Sequence, residues 1–92
     1  MEETQKRITW EKPVEEKFLK ILEQIPDLIR GIAEGRISKK AESILKEQNR
    51  WVVNEKDMVD AFFAETPPGF RSAMKNGMDE VGIDYSKYGY ER

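Results

Sequence analysis

Cysteine and histidine are both missing from the 92 residues. Without cysteine there is no disulfide, no thiolate nucleophile and no cysteine-held zinc or iron–sulfur cluster. Without histidine the Ser-His-Asp and Cys-His arrangements cannot be assembled, and the commonest general base near neutral pH is gone. An excess of charge of one sign is lacking as well. Sixteen basic residues stand against eighteen acidic ones, a formal charge of −2, which supplies no long-range field to gather phosphates or to hold an anionic membrane surface. Long hydrophobic runs are absent too: Glu2, Glu3, Lys6, Arg7, Glu11, Lys12, Glu15, Glu16 and Lys17 break up the first part of the chain. A signal peptide or membrane span needs an uninterrupted apolar stretch, so a cytoplasmic protein with no membrane partner is expected.

The chain has enough apolar material for one small core. Hydrophobic residues make up 38% of it, with two Trp, three Tyr and four Phe, so a single domain over residues 1–92 is expected. Met1 to Arg7 is charged and reads as a loose end. Thr9 reads as a helix cap. From there Val14, Phe18, Ile21, Leu22 and Ile25 fall on one helical stripe, predicting a first helix over about residues 11–25 with Pro13 in its first turn.

Pro26 breaks that stripe and suits the start of a second helix, with Asp27 favouring its positive end. This helix carries two apolar groups. Leu28, Ile29, Ile32 and Ala33 form the first, and Ile37, Ala41, Ile44 and Leu45 form the second, more than about 100° away around the axis. Gly35 lies where the face switches. One long helix packed on two sides, or a kink at Gly35, follows from this pattern, with Gly31 leaving room for a second backbone. Asn49 suits a left-handed stop. Trp51, Val52 and Val53 read as a short extended link with no sheet partner, and Trp51 as a core residue.

Asn54 and Asp57 are spaced as a capping pair opening a third helix through Met58, Val59, Ala61, Phe62 and Phe63. Thr66-Pro67-Pro68 separates it from a fourth, marked by Phe70, Ala73, Met74, Gly77, Met78 and Val81. Gly82 stops that helix, and Ile83 stands where a Schellman ending places its apolar contact. Asp84 to Arg92, with Tyr85, Tyr88 and Tyr90, reads as an irregular tail against the core. The fold class expected is all-α, a small bundle of about four helices.

No constellation of catalytic residues stands out. The glutamates alternate with lysines and arginines on solvated faces, and no acidic run has the EF-hand spacing, so no metal is expected. Gly31 and Gly35 sit inside a helix and do not form a phosphate-cradling loop. Arg30, Arg36, Lys39, Lys40 and Arg50 can meet phosphates or a carboxylated ligand, or simply line a solvated face. Asp57, Asp60 and Glu65 on the third helix oppose a phosphate lattice. Trp10 and the tail tyrosines fit either core closure or partner docking.

The stretch from Trp10 to about Ala64 resembles the PCP_red family, the small domain at the C-terminus of the B subunit of light-independent protochlorophyllide reductase. The residues that carry this are Trp10, the Ile25-Pro26-x-x-x-Arg30 segment, Ala41-Glu42, the helix end near Asn49, and Val53-Asn54-Glu55 leading into the third helix. Asn49 stands where the family has glycine and Asn54 where it has threonine, and residues 65–92 fall outside the match. The resemblance implies a three-helix module over residues 8–64 that accompanies a catalytic body, braced here by the C-terminal helix and tyrosine-rich tail. It implies no reductase activity and no resident cofactor, since the cluster ligands and substrate pocket belong to parts missing here. The expected function is a non-enzymatic interaction module with a protein partner, Arg30, Arg36, Tyr85 and Tyr88 being the candidate contact residues. A tetrapyrrole-like ligand paired with Arg30 or Arg36 is the alternative, and nucleic-acid binding is the weakest reading.

Overall fold

The structure, a computed structural model, describes residues 8–92; the expected loose end at Met1 to Arg7 lies outside them. Four α-helices make up the bulk of the described chain, as expected, with two very short strands between them. The order is β1 (Thr9–Trp10), α1 (Lys12–Leu22), α2 (Asp27–Glu47), β2 (Val52–Val53), α3 (Glu55–Glu65), a 3-10 turn (Pro68–Phe70), α4 (Arg71–Glu80) and a final 3-10 turn (Tyr85–Tyr88).

The strands correct two expectations. Thr9 does not cap α1 but pairs in parallel with Val52, and Trp10 pairs with Val53. The Thr9 N–H donates to the Trp51 carbonyl at 3.0 Å and the Glu11 N–H to the Val53 carbonyl at 3.2 Å. Two residues are too few to show strand alternation in a sequence, so only the tertiary pairing reveals them. Trp10 then stacks on Phe18 of α1 at 4.6 Å, and Phe18 meets Phe62 of α3 edge-on at 5.6 Å. This chain of rings links the start of the described chain to the centre of the core. Trp51, read as core, is half-buried.

Helix α1 ends at Leu22, three residues early, because the Gln24 and Ile25 N–H groups turn back to Ile21 and Leu22 in tight final turns. One side chain then gathers the carbonyls at this end, including that of Leu22, which already accepts from the Ile25 N–H. Arg30 donates from Nε to the Leu22 carbonyl at 2.9 Å and from Nη2 to the Ile25 carbonyl at 2.9 Å. Its third contact, to Glu23, is 3.3 Å. A cation at the negative end of a helix bonds carbonyls exposed there and complements the dipole.

Helix α3 forms the centre of the core, burying Met58, Val59, Ala61, Phe62 and Phe63. It begins as its sequence requires: Asn54 Oδ1 accepts from the Asp57 N–H and Asp57 Oδ2 accepts from the Asn54 N–H, both at 2.9 Å. Helix α2 is continuous past Gly35 and ends at Glu47, and Asn49 just beyond it turns the chain away with a φ of 55°, left-handed as expected. Helix α4 closes with the expected Schellman pattern: Gly82 has φ of 80°, the Ile83 N–H reaches the Met78 carbonyl at 2.9 Å, and Ile83 is buried.

The glycines reverse one expectation. Neither Gly31 nor Gly35 has any atom within 4 Å of a built Cβ, so no second backbone approaches either. Gly77 is the close-packed one. A Cβ there meets Gln24 Cγ at 3.1 Å and Ile21 Cα at 3.2 Å, because α4 crosses the end of α1 at this point. Gly77→Ala is therefore expected to destabilise the fold by about 1–3 kcal/mol through overpacking. Gly31→Ala and Gly35→Ala are each expected to stabilise it by about 0.5–1 kcal/mol through helix propensity. Urea denaturation of the three variants checks the opposite signs.

Candidate functional site

The second half of α2 does what its pattern requires: Ile37, Ala41 and Leu45 are at most 1% exposed. The first half does not. Ile29 and Ala33 are half-buried, but Leu28 is 93% exposed and Ile32 60%. One long helix packed on both faces, the sequence expectation, is thus corrected to a helix packed along one half and open along much of the other.

Beside this open half lies an apolar groove of about 230 Å³. Ile25, Ile29, Ile32 and Ala33 form one wall, and Pro67 and Phe70 stand opposite. The groove exists because Pro67 and Pro68 end α3 and send the chain through a 3-10 turn before α4 can start, which carries Phe70 away from the axis of α3. Arg36 and Glu65 also line it. Neither has an ion-pair or hydrogen-bond partner among the described residues. Thr66 is a further lining residue, 6% exposed, and its Oγ1 is buried without a partner among the described residues. An unsatisfied buried hydroxyl costs about 1–3 kcal/mol.

The four residues singled out from sequence do not converge. Arg36 is on the groove. Arg30 is spent on the carbonyls ending α1 and on Asp27, which its Nη1 meets at 2.8 Å. Tyr85 is 2% exposed and tilts against Phe63 at 5.6 Å, so its ring is part of the core rather than a contact surface. Tyr88 is half-buried and donates from its hydroxyl to Glu55 Oε2 at 2.6 Å. The groove residues Glu65, Thr66 and Pro67 carried a different sequence signal, the end of a helix, which says nothing of what lies across from them.

The tail is fixed by polar bonds to α3. Tyr90 stacks on Phe63 at 3.9 Å and donates to Asp60 Oδ1 at 2.6 Å. Glu55 also pairs with Lys17 at 3.1 Å. Burial pushes the Glu55 carboxyl up, yet the bonds from Tyr88 and Lys17 outweigh it and hold it below its ordinary value. Burial and the Asp60 bond push the Tyr90 phenol up to about 12, and burial with the Glu55 bond raises Tyr88 further. These groups serve tail attachment. Among the described residues no group of three or more His, Cys, Asp or Glu could hold a metal ion, and no helix is long and apolar enough to cross a membrane.

The signs of these shifts give a pH profile. A raised phenol contributes stability that is complete below its ordinary value of 10 and is lost as pH rises towards the folded-state value. A lowered carboxyl contributes stability present above 4.5 and lost as pH falls below it. Stability is expected to fall on both limbs, and Tyr88→Phe with Tyr90→Phe to flatten the alkaline one. Urea midpoints measured from acid to alkaline pH test this; an unchanged alkaline limb in the double variant counts against it. No family model, curated protein or solved structure matches the chain.

Proposed function

We propose that this chain is a non-catalytic helical interaction module that docks a partner protein through the groove beside the open half of α2. The observation that carries the reading is the pairing of Leu28 and Ile32, both largely exposed, with an adjoining apolar groove. Single exposed apolar residues are ordinary, but two on one helix face leading into a concave apolar wall form a continuous surface. Covering a Leu or Ile side chain fully is worth about 1.5–3 kcal/mol, enough for two such residues to act as interface anchors.

The PCP_red resemblance supports an accessory role of the same kind, beside a larger redox or tetrapyrrole-related body. Of its elements, Ile25-Pro26-x-x-x-Arg30 has a structural explanation, since Arg30 closes α1 over the turn that Pro26 begins. The tetrapyrrole-ligand reading has less behind it. Arg30 is already engaged, and about 230 Å³ is below the roughly 300–1,000 Å³ typical of small-molecule pockets. A larger depression of about 560 Å³ runs along α2, but its lining is Lys39, Glu42, Ser43, Lys46 and Glu47, charges of both signs on a solvated face. Nucleic acid has no one-signed surface to meet there.

A photoreactive residue placed at position 32, in cells that make the protein naturally, tests the proposal. It is expected to cross-link one protein reproducibly, while the same group at exposed Glu16 of α1 does not. Equal products from both positions, or none from position 32, contradict docking at the groove.

A further inference from the structure

The groove carries enough chemistry to say what kind of segment fits it. We infer that its occupant is an amphipathic helix of a partner protein, with its apolar seam bordered by a carboxylate on one side and a cationic side chain on the other. This rests on the docking reading above and specifies the partner.

The backbone accounting favours a helix. The α2 wall runs from Ile29 to Arg36, about 12 Å of helix, and all its peptide groups there are engaged within the helix. An extended peptide lying against it finds almost no donors or acceptors for its own backbone, and buried unpaired N–H and C=O groups are costly. A helix arrives with these groups already paired, and reads such a groove with side chains at i, i+3, i+4 and i+7. Leu28, Ile32 and Gly35 fall within an arc of about 60° on α2. Gly35 has nothing within 4 Å of a built Cβ, so the α2 surface is low just where a second helix has to cross it.

Charge supplies the borders. Arg36 stands on the α2 rim and Glu65 at the end of α3 on the other, and neither has an ion-pair or hydrogen-bond partner among the described residues. A rim of opposite signs is matched by an occupant with opposite signs on its two flanks.

The test uses the whole protein with three synthetic helical peptides that share one leucine seam and differ in its borders: acid and base, acid and acid, base and base. Affinities are measured by fluorescence anisotropy and sites by amide chemical shifts. The natural protein is expected to bind the acid-and-base peptide several-fold tighter than either other, with shifts at Ile32, Arg36 and Phe70. Arg36→Glu, which makes both rims acidic, is expected to turn the preference to the base-and-base peptide by roughly tenfold. Glu65→Lys is expected to turn it to acid-and-acid by a similar factor. Both variants are at exposed or half-exposed positions, and circular dichroism verifies their fold. Equal binding of all three peptides, preferences unmoved by the variants, binding of none, or self-association of the protein through Leu28 overturns the inference. Cross-linking at position 32 judges the docking reading separately: a reproducible protein there, with peptides that bind alike, leaves docking standing and removes the charged borders.

Discussion

A helix with two apolar faces more than about 100° apart cannot bury both against one small core, and this geometric limit shapes the molecule. Helix α2 meets it by division. Its second half gives Ile37, Ala41 and Leu45 to the core, while its first half keeps only Ile29 and Ala33 partly covered. Leu28 and Ile32 are left facing outward. Helix continuity through Gly35 forces this outcome, because a break there would allow the first half to turn inward. The groove is the space left between that half and the proline-rich exit from α3.

The polar bonds that fix the remaining segments around the apolar core sit at the opposite end of α3. Asp57, 3% exposed, accepts from the Asn54 N–H and from both terminal nitrogens of Arg50, the Nη1 contact being 3.0 Å. One carboxylate thus caps α3 and ties it to the residue that follows the α2 stop. A buried carboxylate with this many donors is satisfied, whereas leaving it there without Arg50 is strongly unfavourable. Glu55 and Asp60, on the same helix, hold Tyr88 and Tyr90 of the tail. The N-terminal part of α3 therefore carries these ion pairs and caps, and its C-terminal end, at Glu65 and Thr66, borders the groove with side-chain polar groups that have no partner among the described residues.

The helices were legible in the sequence because each carries its own punctuation: Pro13, Pro26, Asn49, the Asn54 and Asp57 pair, and Gly82. The Schellman close at Ile83 and the left-handed Asn49 follow from local chemistry alone. Features that depend on distant partners were not legible. The β1–β2 pairing joins residues some forty positions apart through two-residue strands with no period to detect. Gly77, not Gly31 or Gly35, proved to be the contact glycine because only the crossing of α1 and α4 decides it. At the site, Arg36 was among the residues named from sequence, and the double face of α2 was visible in its spacing. Which face would stay open was not, since that depends on where Pro67 sends the chain.

Native-state hydrogen exchange tests the division of α2 most directly. The account predicts that amides of Ile37 to Leu45 exchange only when the whole protein unfolds, together with those of Met58 to Phe63. Amides of Gly31 to Gly35 are predicted to exchange faster, through partial openings that leave the core intact. Equal protection along the whole of α2 would contradict it, showing that the first half is held as firmly by the fold as the second.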